Sequence, residues 1–245
     1  MSKWIAIGDV HGRDIWQQIV NLEINNVDKI IFVGDYFDSF NISPGFQIFN
    51  FKNILELKRS YPDKVVLLAG NHDFHYIQHI GVNERYSGYN HAFSYFIGDE
   101  CIHPAFNDRS LQICYIDNNF LFTHAGVTKT WLKDNRIELD DDLDTTLNDL
   151  FFHKPQYFKF QSGNRLSRNA YGDDIFQGPL WVRPNSLYAD KIDGYIQVVG
   201  HTERKDSTIQ FENDVYLIDA LEKGYYLKFD GETIEIKQLD SVSSP

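Results

Sequence analysis

Two cysteines in 245 residues are too few for a disulfide framework, and Cys101 and Cys114 suit a reducing compartment. No apolar run approaches the ~20 residues that a membrane-spanning helix needs. Lysine and arginine are sparse and unclustered: 23 basic against 35 acidic residues leave a formal net charge of −12. A nucleic-acid duplex is therefore a poor partner, and the acidic balance reads as a solvated surface. The first strand begins by about residue 3, which leaves no room for a signal peptide. No internal repeat or low-complexity linker interrupts the chain. These absences predict a cytoplasmic protein with a single domain over residues 1–245, bound to no membrane.

What is present is an ordinary globular composition, with 42% hydrophobic and 24% charged residues and a high aromatic share of 15%. The aromatics read as core and cap packing. Five short islands stand out: Gly8-Asp9-Val10-His11-Gly12, Gly34-Asp35-Tyr36-Phe37-Asp38, Gly70-Asn71-His72-Asp73, Thr123-His124-Ala125-Gly126 and Gly200-His201-Thr202. Each follows an apolar, β-rich run, such as Ile30-Ile31-Phe32-Val33 before the second. Five strands thus deliver Asp, His or Asn at their carboxyl ends, where ligands gather in open α/β sheets.

Between the first islands the pattern is helical. Asp14 to Leu22 has apolar residues at helical spacing with Asp14 placed to cap it, and Gly45 to Ser60 reads as an amphipathic helix ended by Pro62. This βαβα alternation predicts a largely parallel sheet. Leu111 to Ile116 and Asn119 to Phe122 read as a hairpin turned at Asp117-Asn118, and Asp230-Gly231 marks another. Two stretches, about 74–110 and 128–180, lack clear periodicity and read as cap-like insertions. Cys114, in a β-rich run, reads as buried and inert. His75 and His79 have a spacing that can bind metal, but no third ligand suggests itself, and a partly exposed cap position is the preferred reading. The acidic run from Asp140 to Asp144 reads as a solvated face.

The islands carry the chemistry of a metal site. Asp9 and His11, two apart in an extended segment, can grip one cation, and Asp35 can bridge to a second. Asn71, His124 and His201 offer a neutral oxygen and two imidazoles. Mixed nitrogen and oxygen ligation suits Mn, Fe or Zn better than Ca or Mg. Two such ions share a hydroxide and clamp a phosphoryl group for in-line attack. His72 is left over, placed as a general acid for the leaving group, with Asp38 able to orient its imidazole.

In these residues the chain resembles the calcineurin-like metallophosphoesterases, whose ordered motifs the islands match from residue 8 to residue 202. The resemblance implies an α/β fold, a four-layer αββα sandwich with the metals at strand carboxyl ends. It implies that Asp9, His11 and Asp35 hold one divalent ion and that Asp35, Asn71, His124 and His201 hold another. Manganese is the first candidate, with iron, zinc and nickel as alternatives, and His72 is the proton donor.

Phosphodiesterase-like members usually end in Gly-His-x-His, whereas Glu203 follows here. The chain therefore looks closer to the branch of Ser/Thr protein phosphatases and symmetrical dinucleoside tetraphosphatases. It departs from that branch at Asp38-Ser39-Phe40, where Asp-Arg-Gly is usual, so the expected phosphate-binding arginine is missing. Trp181-Val182-Arg183-Pro184 resembles a Trp-x-Arg segment of bacterial phosphatases in the branch. Arg183 is then either a phosphate contact or a salt-bridge partner, and Arg13 is a further candidate. The implied activity is hydrolysis of phosphomonoesters on a small molecule, nucleotide or phosphoprotein. Hydrolysis of a nucleotide anhydride such as a dinucleoside tetraphosphate is the alternative, and a non-catalytic scaffold of the same fold the third reading.

Overall fold

The structure, a computed structural model, describes residues 2–77, 85–161 and 172–239. In chain order its first strands are β1 (Trp4–Ile7), β2 (Lys29–Phe32), β3 (Val65–Leu68), β4 (Leu111–Gln112), β5 (Tyr115–Asp117) and β6 (Phe120–Phe122). β7 (Ile196–Val199), β8 (Gln210–Glu212), β9 (Val215–Leu217), β10 (Tyr225–Phe229) and β11 (Ile234–Gln238) follow. One sheet has the order β11-β10-β1-β2-β3-β4 and the other β5-β6-β7-β9-β8. β1 to β4 are mutually parallel, as the βαβα alternation predicts, and β6, β7 and β9 are parallel in the second sheet.

The central strands β1, β2 and β3 are apolar and buried on both faces, as strands covered on both sides are. Ile5 and Ile7 of β1 pack with Trp16 and Ile19 of α1 (Trp16–Glu23) and with Phe51 and Ile54 of α2 (Pro44–Ser60). Trp4 and Ala6 point the other way, into a cluster with Phe120, Phe122 and Val198 of the second sheet. Trp4 meets Phe120 and Phe122 edge-on at 5.1 and 5.0 Å between ring centroids, a geometry that adds about 1 kcal/mol per pair beyond burial. The far face of the second sheet, Val199, Val215 and Leu217, lies under Leu187 of the helix Pro184–Asp190. The result is the expected four-layer αββα sandwich. Among the described residues no helix is long and apolar enough to cross a membrane.

Some local expectations change. The run expected as one strand from Leu111 to Ile116 divides: β4 pairs with β3 in the first sheet, β5 with β6 in the second. The step between sheets would orphan buried backbone groups at Ile113 and Cys114. Asn148 takes them, accepting both N–H groups at 2.9 and 3.3 Å and donating to the Cys114 carbonyl at 2.9 Å. Asp14 does not cap α1. Ile15 holds that position without a side-chain bond. In α2, by contrast, Ser43 accepts from the Phe46 N–H and Pro44 opens the helix. Both expected hairpins form, β5–β6 and β10–β11. Cys114 is fully buried, and burial pushes its thiol up, as it pushes Cys101 to about 12.

Candidate metal centre

β1, β2 and β3 lie side by side in one sheet and β6 and β7 in the other, and all five islands follow their carboxyl ends. The loops leave the strands abruptly. His11, Asp35, Asp38 and His201 sit at φ of 43°, 51°, 66° and 63°, left-handed values that cost non-glycine residues on the order of 1–3 kcal/mol each. Neighbouring islands hold these turns: His11 N–H donates to the Asp35 carbonyl at 2.6 Å and Gly12 N–H to the Tyr36 carbonyl at 3.0 Å. Asp73, fully buried, accepts from the N–H groups of Tyr36 and Gly70 at 2.9 and 2.8 Å, joining the second island to the third. Two glycines are required by close approach. A Cβ on Gly70 would strike the Asp35 carboxylate, and one on Gly200 the Asp9 carboxylate.

Asp9, Asp35 and His124 bring ligand atoms within 4.8 Å of one another. His124 donates through Nδ1 to the Val33 carbonyl at 2.8 Å and turns Nε2 to Asn71 Oδ1 at 2.9 Å and Asp35 Oδ2 at 3.4 Å. His11 donates through Nδ1 to the Phe37 carbonyl at 2.6 Å, with Nε2 3.7 Å from the same Asp35 oxygen. His201 spans the Trp181 carbonyl at 3.2 Å and Asn71 Oδ1 at 2.8 Å. Each imidazole thus sets one nitrogen on a main-chain carbonyl, which fixes the ring's orientation. The other nitrogens are aimed at carboxylate and amide oxygens. Buried imidazole nitrogens gathered with carboxylate and amide oxygens are a donor set that fits a divalent cation.

Burial disfavours an imidazolium at His124, yet Asp35 overcomes it and raises His124 to about 9, so without an ion a proton on Nε2 takes the place of positive charge beside Asp35. Burial, reinforced by Asp219 and Asp35, pushes Asp9 well above the ordinary carboxylate range. Burial works the same way on Asp35, but His124 and His72 outweigh it and hold that carboxyl well below the range. Burial, and next the Arg183 guanidinium, press His201 well below the ordinary imidazole range, and burial lowers His11. A positive ion would compensate what the protein groups do not.

His72 stands beside this cluster rather than within it. Its backbone N–H donates to Asp35 Oδ1 at 2.9 Å, and its ring Nδ1 lies 3.1 Å from Asp38 Oδ2. Burial disfavours the imidazolium, yet Asp35 and Asp38 overcome it and raise His72 to about 9. Arg183 donates to the His201 carbonyl at 2.8 Å and Thr202 Oγ1 at 3.0 Å, so its head lies against the fifth island. Arg13 pairs with Glu222 at 2.7 Å. Ser39, standing where the branch usually has arginine, accepts from the N–H groups of Asn41 and Ile42 and turns its loop.

Two participants escaped the sequence reading. Asp219, after β9, is a carboxylate at a sixth strand end, and burial with Asp35 nearby pushes it to about 7. The signal was available, an Asp just after Val215-Tyr216-Leu217, but no island motif surrounds it. His75 is the other. It is buried, not partly exposed, and its Nε2 lies 2.6 Å from Asp38 Oδ2. His79, its suggested companion, lies outside the described residues.

Comparison with known proteins gives the family. Residues 3–204 match the family described as calcineurin-like phosphoesterase, and the chain belongs to that family. A probable serine/threonine-protein phosphatase of Encephalitozoon cuniculi is 30% identical over 183 residues. That match takes in 70% of this chain and 38% of the relative, so the chain spans well under half of that protein's length. Among solved structures, a cold-active protein-tyrosine phosphatase of a psychrophilic Shewanella superposes with a TM-score of 0.57 at 20% identity. It covers 97% of this chain and 81% of its own, and shares the fold.

Proposed function

We propose that this chain is a metal-dependent phosphoesterase acting on phosphomonoesters. Asp9, His11 and Asp35 would surround one divalent ion, and Asp35, Asn71, His124 and His201 a second. Such ions, with manganese the first candidate, supply hydroxide at neutral pH and neutralise phosphoryl oxygens. The protein's own part is positioning and proton delivery. Arg183, fixed to the fifth island, would add positive charge toward the phosphate. As the new P–O bond forms and the ester P–O bond breaks, the proton on His72 Nε2 passes to the departing alkoxide, giving the free alcohol. Asp38 keeps the ring turned for that transfer through Nδ1.

The observation that carries this reading is the convergence of imidazole nitrogens on Asp35 and Asn71, with His72 held beside them by Asp38. The phosphatase name of the Encephalitozoon relative favours the monoester. The test is turnover of nitrophenyl phosphate with manganese, beside a phosphodiester, phosphopeptides and a dinucleoside tetraphosphate. Replacing His72→Asn is expected to lower monoester turnover by about 10²- to 10⁴-fold. Wild type no faster than that variant on every substrate removes the reading, and preference for the tetraphosphate by orders of magnitude replaces the monoester with the anhydride.

A further inference from the structure

Asp38 carries more partners than an orienting carboxylate needs. Its side chain is fully buried, and both oxygens are used. Oδ2 faces His72 Nδ1 at 3.1 Å and His75 Nε2 at 2.6 Å, while Oδ1 accepts from the Tyr76 hydroxyl at 2.6 Å. The proton positions follow from the next shell. Tyr86 N–H donates to His75 Nδ1 at 3.3 Å, so the His75 proton sits on Nε2 and points at Asp38. Asn90 N–H donates to the Tyr76 oxygen at 2.8 Å, which leaves the hydroxyl proton for Asp38 as well. Asp38, His72 and His75 have the composition of a metal-ligand triad. That tautomer argues otherwise, because His75 presents Asp38 with a donor and not a lone pair.

The donors to Asp38 are bound in turn to the cap. Tyr76 stacks on Tyr89 at 4.8 Å and 21°, and His75 lies edge-on to Tyr89 at 5.1 Å. Gly88 between them has φ +91°, and a Cβ there would stand 3.0 Å from both Asp38 Cβ and His72 Cε1. The cap backbone at Gly88 therefore runs so near the Asp38–His72 pair that any side chain there would crowd both. Asp38 is itself held at a left-handed φ, a conformation that persists only where surrounding bonds determine it.

We propose that His75 and Tyr76 are positioning residues that clamp Asp38 behind His72 and couple the acid to the Tyr86–Asn90 segment of the cap. This rests on the reading of His72 as general acid. Spreading the carboxylate over three donors fixes its orientation and limits its pull on the His72 ring. His72 is then held in register while its outward proton stays available.

A leaving-group series tests this on the manganese-loaded enzyme, from nitrophenyl phosphate to an alkyl phosphate. A departing nitrophenolate needs little protonation, whereas an alkoxide needs the acid. Tyr76→Phe and His75→Ala are each expected to lower kcat for the alkyl ester about ten-fold, but for the nitrophenyl ester only about two-fold, with KM little changed. His75→Gln, which restores an N–H donor, is expected to recover most of the loss. Adding His75→Ala to His72→Asn is expected to cost nothing further on the alkyl ester. Equal losses across the series, no loss in Tyr76→Phe, or full additivity with His72→Asn would each overturn the clamp. If His72→Asn itself loses activity equally across the series, the acid reading falls first and the clamp with it. Should His75→Ala fail to fold, Tyr76→Phe decides alone.

Discussion

His124 Nε2 lies 2.9 Å from Asn71 Oδ1 while His124 Nδ1 donates to the Val33 carbonyl at 2.8 Å. Two candidate metal-ligand atoms therefore face each other in a buried pocket, and Asp35 Oδ2 adds a third at 3.4 Å. A divalent cation placed among them would bind the folded chain and not the unfolded one. At a free concentration of 100 Kd this linkage stabilises by about 2.7 kcal/mol, or roughly 5–10 °C for a chain of this size. Chelator-treated protein is expected to gain that shift in a thermal melt when manganese is added. Asp35→Asn, which weakens the carboxylate faced by His11 and His124, is expected to abolish most of it. A wild-type melt indifferent to every divalent ion would count against the fit.

Gly200 offers a sharper steric test. A Cβ there would strike Asp9 Oδ1 and stand 3.0 Å from Val33 Cγ2. Asp9 cannot withdraw freely, because both its oxygens lie 3.1 Å from the His201 N–H. Gly200→Ala is expected to destabilise by about 1–3 kcal/mol, the usual cost of overpacking. The displaced carboxylate should also weaken manganese binding, measured by calorimetry, by about ten-fold. Gly45→Ala is the control, since nothing lies within 4 Å of a Cβ at that position in the first turn of α2. Its urea midpoint is expected to equal or exceed that of wild type.

The strand-end islands were legible because they combine two local signals, an apolar run and a polar residue type, each confined to a few residues. The βαβα alternation likewise announced a largely parallel sheet. The division of the 111–116 run between two sheets was not legible. Its residues are all compatible with one strand, and the step is satisfied by Asn148, more than thirty positions away. His75 was misplaced for a similar reason. Its burial depends on Tyr86 and Tyr89 folding back over it, and no periodicity in the cap announces that contact. Asp14 failed as a cap because the chain enters α1 one residue later, at Ile15. Asp219 lacked the glycine and histidine neighbours that marked the other strand ends.

Gln197 shows how the second sheet holds two of the islands together. It is fully buried in β7, yet its side chain does the work of a strand neighbour. Its Oε1 accepts from Val127 N–H at 2.8 Å and its Nε2 donates to the Val127 carbonyl at 2.9 Å. Val127 closes the loop that carries His124, and β7 leads directly to His201, so this amide joins the fourth island's loop to the strand of the fifth. The next residue, Thr128, accepts from Trp131 N–H at 3.1 Å and caps the helix Lys129–Asp134. Gln197→Leu would keep the apolar packing but leave a buried N–H and carbonyl without partners, at about 1–3 kcal/mol each. Urea denaturation is expected to show a loss of about 2–5 kcal/mol with an unchanged m-value. Because the loop after His124 would then be free to shift, the manganese-induced rise in melting temperature is expected to shrink as well. A loss below about 1 kcal/mol would mean that Val127 finds other partners and that the amide bridge is dispensable.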